Sequence, residues 1–406
     1  MRYFALVPDG CGDWPIESLD GKTPLEAVKM KNINAIAKKG TVGLVKTIPD
    51  GLTPNSVPAN LSILGFDPLE CQTGRAPLEA VAAGIALGEK DLAYRVNLVT
   101  LEGEGEFETL RMKDHSAGEI SSGEARELMD FLNAELGGYG ASFYAGMGYR
   151  CVMTTESIES DEAFTPPHDI LDRQIGEYLP RHEASKIILK MMRRANGLLK
   201  DHPVNKKRAE SGQNIANGIW VWDQGKNLRL ESVESRFGVK GTVVAAVNLI
   251  KGMGVCAGLH SVDVPGADGT LNTNFSGKAK AAIGEFKSGK NFVYVHVEAP
   301  DECSHTNDLQ GKLDSLEKID GEIFKPVYDY LASTGEPFRL LVVTDHKTPL
   351  AIRTHNAEPV PFVMYDSEYE NEEADWKAFS ESSGERGVFI ESGRALAEAF
   401  FDGSLG

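Results

Sequence analysis

The chain is short of cysteine, of basic residues and of long apolar runs, and each shortage excludes something. Its five cysteines, Cys11, Cys71, Cys151, Cys256 and Cys303, are odd in number, scattered, and never in a CxxC pair. That pattern argues against a disulfide framework and a cysteine-type zinc site, and reads as a reduced, cytoplasmic protein. Lys and Arg total 42 against 60 Asp and Glu, a formal net charge of −18. Nucleic acid and anionic membranes both need a basic surface, so neither is an expected partner. A small anionic metabolite stays open, because a few local arginines and metals can outweigh a global field. No apolar run approaches the ~18 residues of a membrane span. The opening MRYFALVPDG has only a short apolar run, interrupted by Pro8 and Asp9, which does not read as a signal peptide. PDGCGD and PGADG look like phosphate loops only superficially, since neither carries GK[ST].

What is present is an α/β pattern. At 406 residues there is room for a large domain with a second one or an insertion. Four β-rich runs each lead into a polar cluster: YFALV before Pro8-Asp9-Gly10, FVYVHVEA before Asp301, RLLVV before Thr344-Asp345-His346, and PFVMY before Asp366. TVVAAV, from Thr242 to Val247, fits as another strand. Short apolar runs separated by helical patterns predict a mainly parallel sheet with helices on both faces. In such sheets ligands gather at the carboxyl ends of the strands.

The stretch 91–170 reads differently, as an inserted α+β unit within a core of 1–90 and 171–406. YRVNLVTL and FETLRM alternate, SSGEARELMDFLNAEL is helical with a capping-box spacing at Ser121 and Glu124, and ASFYAGMGYRCVMTT returns to strand. The helix from Glu183 to Lys200, apolar along one face, is assigned to the core.

Several polar groups sit where such a sheet would use them. Asp9 follows the first strand, although taken alone it reads more simply as an Asp-Gly turn. Asp301 and His305 are spaced one helical turn apart, a workable metal-ligand geometry. Asp345 and His346 are adjacent, and both can reach a site only where the backbone leaves the pleat. His355 follows nine residues later. Three aspartates and three histidines make a ligand set for two divalent cations, with Mn²⁺ the first choice and Zn²⁺ or Mg²⁺ as alternatives. The other histidines, including His115, His168 and His296, fall outside that set, His296 as a packed or supporting residue. Ser56, in LTPNSVPANLSILGF, should lie at or next to a helix N-terminus, where dipole and free N–H groups favour a phosphate or an alkoxide. It reads as a nucleophile; equally, Ser56 or Asn55 is merely the N-cap.

PDGCGD, NSVPANLSILGFDP, QTGRAPLEA, APDECSH, VVTDH and RTH, in this order, resemble the alkaline-phosphatase-type metalloenzyme superfamily, and within it the archaeal-type cofactor-independent phosphoglycerate mutases. The likeness spans nearly the whole chain. It implies an alkaline-phosphatase-like α/β core with a smaller substrate-capping insertion. It also implies one metal held by Asp9, Ser56, Asp345 and His346, and the other by Asp301, His305 and His355. Ser56 would be phosphorylated as 3-phosphoglycerate and 2-phosphoglycerate interconvert in glycolysis.

Two departures bear on the substrate. The family often reads PGSD at the nucleophile, where this chain has Pro54-Asn55-Ser56-Val57. The arginine-rich DRRAGR of the mutases is Asp114-His115-Ser116-Ala117-Gly118-Glu119 here, and neither Ser nor Glu replaces an arginine fork. The latter is closer to a divergent bacterial branch provisionally called homoserine kinase. Arg75 is the first choice for gripping a phosphate, with Asp114, His115, Arg150 and Arg353 as further substrate contacts. A phosphotransferase with another acceptor, a phosphatase, or a non-catalytic metal-binding protein are the rival readings. The expected partner in each enzymatic case is a small phosphorylated metabolite.

Overall fold

The computed structural model describes every residue except Gln72, Asp161 and Gly406. It divides into two compact units, Met1–Gln72 with Arg229–Gly406, and Thr73–Leu228.

The first unit is built on an eight-stranded sheet in the order Val388–Ile390, Thr41–Val45, Val360–Asp366, Phe338–Val343, Arg2–Pro8, Phe292–Val297, Gly241–Val244, His260–Val262. Neighbours run parallel except at Val360–Asp366, which is antiparallel to both strands beside it. One face carries Phe4, Leu6, Val293, Val295, Val297, Leu340 and Val342. These pack against Ile33, Ile36, Ala279, Ala282, Phe286, Leu316, Val327 and Leu331 of four helices. On the other face Tyr3 meets Phe400 and Phe401, and Tyr294 donates to Asn60. Burial on both faces is why these strands read as unbroken apolar runs. The expected mainly parallel α/β sheet is present.

Three parallel neighbours, Phe338–Val343, Arg2–Pro8 and Phe292–Val297, end level with one another, with Leu6 opposite Val342 and Val7 opposite His296. Strands in a sheet stand about 4.8 Å apart. Whatever follows Pro8, Val297 and Val343 is therefore delivered to one place. Val360–Asp366 runs the other way: the chain before it, with His355, lies at that end, while its antiparallel course puts Asp366 at the opposite end, in an ion pair with Arg339.

The second unit holds an all-antiparallel sheet in which Leu92–Glu102 pairs with Arg111–Asp114, Arg150–Thr155 and Gly218–Lys226, and Ala141–Ala145 pairs with Arg150–Thr155. Helix Ser122–Leu136 starts in the expected capping box of Ser121 and Glu124. The unit is wider than the 91–170 insertion read from sequence. Gly218–Lys226 pairs with Leu92–Glu102 along most of its length. Helix Lys186–Leu199 buries Ile188, Met191, Met192 and Ala195 in this unit's core rather than the other's. An apolar stripe shows that a helix packs, and it does not show on which sheet. All five cysteines are free, and no helix among the described residues is long and apolar enough to cross a membrane.

Candidate active site and metal centre

At the shared end of the three parallel strands the chain bends sharply, and the bends carry the functional groups. Gly10, with φ +59°, turns the chain after Asp9, and a Cβ there would collide with the Asp301 carboxylate and the Thr348 hydroxyl. Only glycine tolerates both that conformation and that approach. The Gly10 and His346 backbone N–H groups both donate to Asp345 Oδ1, at 3.1 and 2.9 Å.

Asp9, Asp301 and Asp345 are all buried. Asp9, Asp345 and His346 form one group able to hold a cation, and Asp301, His346 and His355 form another. His346 Nε2 lies 3.4 Å from Asp9 and 3.5 Å from Asp345. Helix Ala299–His305 brings His305 Nε2 to 3.0 Å from Asp301, across one turn, and to 3.2 Å from His355 Nε2. His355 Nε2 is 3.7 Å from Asp301. Arg353 points its carbonyl, not its exposed side chain, at the cluster, accepting from His305 Nδ1 at 3.0 Å.

Ser56 opens helix Ser56–Ile63, and Asn55 is the cap, its side chain accepting from the Val57 N–H at 2.9 Å. The serine hydroxyl is thus released from capping and stands 3.2 Å from His346 Nε2. Asn60, one turn on, donates to both the Ser56 carbonyl and Asp345 Oδ2 at 2.9 Å.

The electrostatics are those of too many buried carboxylates. Burial, followed by Asp345 and Asp301, pushes the pKa of Asp9 well up. Burial opposes ionisation of Asp301 and Asp345 too, yet the facing imidazoles hold both below the usual carboxylate range. The Asp301 hydrogen bond raises His305 to about 9, while burial lowers His346. Asp9 Oδ1 is buried with no hydrogen-bond partner. An unpartnered oxygen among three buried acids, rimmed by imidazoles, fits a divalent cation and little else. The donor set is oxygen and nitrogen without thiolate, which suits Mn²⁺, Zn²⁺ or Mg²⁺.

Sequence reasoning left out His296, whose Nε2 faces both Asp9 and Asp345. Arg95 and Trp222, to which the sequence analysis gives no role, line a cavity of about 610 Å³ in the second unit with Arg75, Glu162, His168, Asp223 and Gln224. Arg95 Cζ lies over the Trp222 ring, 4.2 Å from its centroid, with Nε 3.1 Å from Glu79. The ring chain continues from Trp222 to His168 and on to His115 and Tyr149, with Arg150 over Tyr149. Arg75 is exposed at the start of helix Arg75–Ala82. Asp114 spends its carboxylate on its own turn, accepting from Ser116, Gly118 and Asn214.

A family model described as 2,3-bisphosphoglycerate-independent phosphoglycerate mutase matches residues 37–205. The chain is 43% identical over 368 residues to the 2,3-bisphosphoglycerate-independent phosphoglycerate mutase of Methanothrix thermoacetophila, across 90% of this chain and 91% of that one. It is 41% identical over 403 residues to the probable enzyme of that name in Geobacter sulfurreducens, across 99% and 100%. A solved structure of a Pyrococcus horikoshii protein superposes with a TM-score of 0.79 at 27% identity, over 99% of this chain and 96% of that one.

Proposed function

Because the chain belongs to the archaeal-type 2,3-bisphosphoglycerate-independent phosphoglycerate mutases and is an isomerase of that kind, we propose that Ser56 carries the phosphoryl group between the two hydroxyls of glycerate. The observation that carries this reading is the released hydroxyl: Asn55 caps the helix, and Ser56 Oγ sits 3.2 Å from His346 Nε2.

The residues around it are arranged for that task. His346 Nδ1 faces Thr348 Oγ1 at 3.1 Å, and that hydroxyl donates to Asp301. The Thr348 oxygen is thereby left to accept from Nδ1–H, so the His346 lone pair is at Nε2, on the side shared by Asp9, Asp345 and Ser56. Asn60 fixes the helix that bears Ser56 to Asp345. Two divalent cations held by Asp9, Ser56, Asp345 and His346, and by Asp301, His305 and His355, would neutralise the buried acids, make the Ser56 hydroxyl more acidic and stabilise charge on the transferring group. Manganese is the first choice of metal.

Phosphoglycerate carries a phosphate and a carboxylate, and both need cations. The cavity of the second unit supports an anionic substrate through Arg75 and Arg95, the latter pre-oriented by Glu79 and Trp222. Among the remaining expected contacts, His115, Arg150 and Arg353 keep side chains at least partly accessible, and Asp114 acts by holding its turn.

The test follows 3-phosphoglycerate by phosphorus NMR with manganese-loaded protein and the Ser56→Ala variant. Conversion to 2-phosphoglycerate is expected, and is lost in the variant. Full turnover by Ser56→Ala would rule out the covalent route. Transfer to homoserine without isomerisation would reassign the substrate.

A further inference from the structure

His296 is the one group in the carboxylate cluster without an assigned task. It lies on strand Phe292–Val297 opposite Val7, is almost fully buried, and its Nε2 has no hydrogen-bond partner. Nε2 stands 3.6 Å from Asp9 Oδ2 and 3.7 Å from Asp345 Oδ2. Both distances are too long for hydrogen bonds.

The other ring nitrogen is accounted for. Nδ1 faces Glu298 Oε1 at 3.2 Å. Glu298 also accepts from the backbone N–H groups of Ala246 and Val247 and from Lys278 Nζ at 3.0 Å. Lys278 is itself fully buried and ties back to the His296 carbonyl at 2.9 Å. A carboxylate surrounded by donors is acceptor-only, so the ring N–H points at it, and the neutral imidazole that a metal requires has its lone pair at Nε2. That lone pair then faces two carboxylate oxygens, an arrangement that repels unless a cation lies among them. His346 Nε2 stands in the same relation to the same two acids, at 3.4 and 3.5 Å. Ligand atoms bonded at about 2.0–2.2 Å to one ion stand about 3.3–3.6 Å apart in a tetrahedral arrangement and about 2.8–3.1 Å apart in an octahedral one.

We propose that His296 is a further ligand of the cation held by Asp9, Asp345 and His346, aimed by the buried Glu298–Lys278 pair. The inference rests on the metal reading given above. A direct carboxylate behind a ligating imidazole fixes its orientation and strengthens it as a donor, and losing such a partner lowers metal affinity roughly 10–100-fold.

Two measurements test it. In crystals of the manganese-loaded protein, the anomalous peak beside Asp345 is expected within about 2.3 Å of His296 Nε2. In calorimetric manganese titrations, His296→Gln and Glu298→Gln are each expected to weaken one site by roughly 10–100-fold and leave the other unchanged. A peak held by Asp9, Asp345 and His346 with His296 more than about 3 Å away overturns this inference alone. Unchanged affinities in His296→Gln do the same. No bound manganese in the wild-type protein overturns the metal reading along with it.

Discussion

Asn60 and Asp345, 285 positions apart in the chain, meet through a buried hydrogen bond of 2.9 Å from Nδ2 to Oδ2. The same amide group reaches the Ser56 carbonyl, and its oxygen accepts from the Tyr294 hydroxyl. One side chain therefore sets the distance between the nucleophile's helix and a metal-binding acid. Asn60→Ala leaves the Tyr294 hydroxyl and an Asp345 oxygen unsatisfied, at about 1–3 kcal/mol each. The expected result is a protein that still binds manganese with wild-type stoichiometry, melts lower and turns over more slowly. Wild-type turnover in Asn60→Ala would mean that Ser56 is positioned by something else.

Lys312 serves stability rather than substrate. It is fully buried, with Nζ 2.8 Å from Asp13 and 3.1 Å from the Thr348 carbonyl. Asp13 also accepts from the Leu350 N–H. Lys312→Met strands a buried carboxylate, so denaturant unfolding should show a loss of about 3–5 kcal/mol. The double change with Asp13→Leu should recover part of that loss.

Glu381 gives a pH signature. Its carboxyl is buried, accepts from the Asp13 N–H and pairs with the Thr23 hydroxyl, and burial raises its pKa. An acid whose folded pKa lies above its unfolded one contributes stability fully below the unfolded value. That contribution disappears as pH rises through the folded pKa. Glu381→Gln keeps the shape without the proton. Relative to wild type, its melting temperature should improve on going from pH 5 to pH 8. A difference that does not change with pH would show that Glu381 titrates normally.

Metal removal should destabilise the first unit, since three buried aspartates would then face one another with only imidazoles to offset their charge. Manganese at one hundred times its dissociation constant should raise stability by about 2.7 kcal/mol per site. Asp345→Asn keeps the side-chain shape, and the manganese-induced rise in melting temperature should shrink in it. An equal rise in both proteins would place the bound ion away from Asp345.

The parts of this site that were legible in the sequence are those delivered by strand ends. Asp9, Asp301 and Asp345 each follow an apolar run, and parallel pairing does the rest. His296 was not legible because its strand is buried on both faces, so alternation no longer tells which way a side chain matters. Asp366 looked like the strand-end aspartates until the antiparallel course of Val360–Asp366 carried it to the opposite end of the sheet. The cavity of Arg75, Arg95, His168 and Trp222 draws on segments far apart in the chain, and no local pattern links them. Nor could local periodicity assign helix Lys186–Leu199 to a unit, because its apolar face would serve either.

Arg2–Pro8 lies in the middle of its sheet, between Phe292–Val297 and Phe338–Val343. On a ribosome it is made before both of its partners, and the nearer of them follows roughly 280 residues later, on the order of 15–60 s at ordinary elongation rates. Through that interval an apolar strand has nothing to pair with, while Thr73–Leu228 has its own core and can fold in the meantime. The order of the strands thus leaves an apolar central strand unpaired for most of synthesis, which is the interval in which the nascent chain is most open to aggregation.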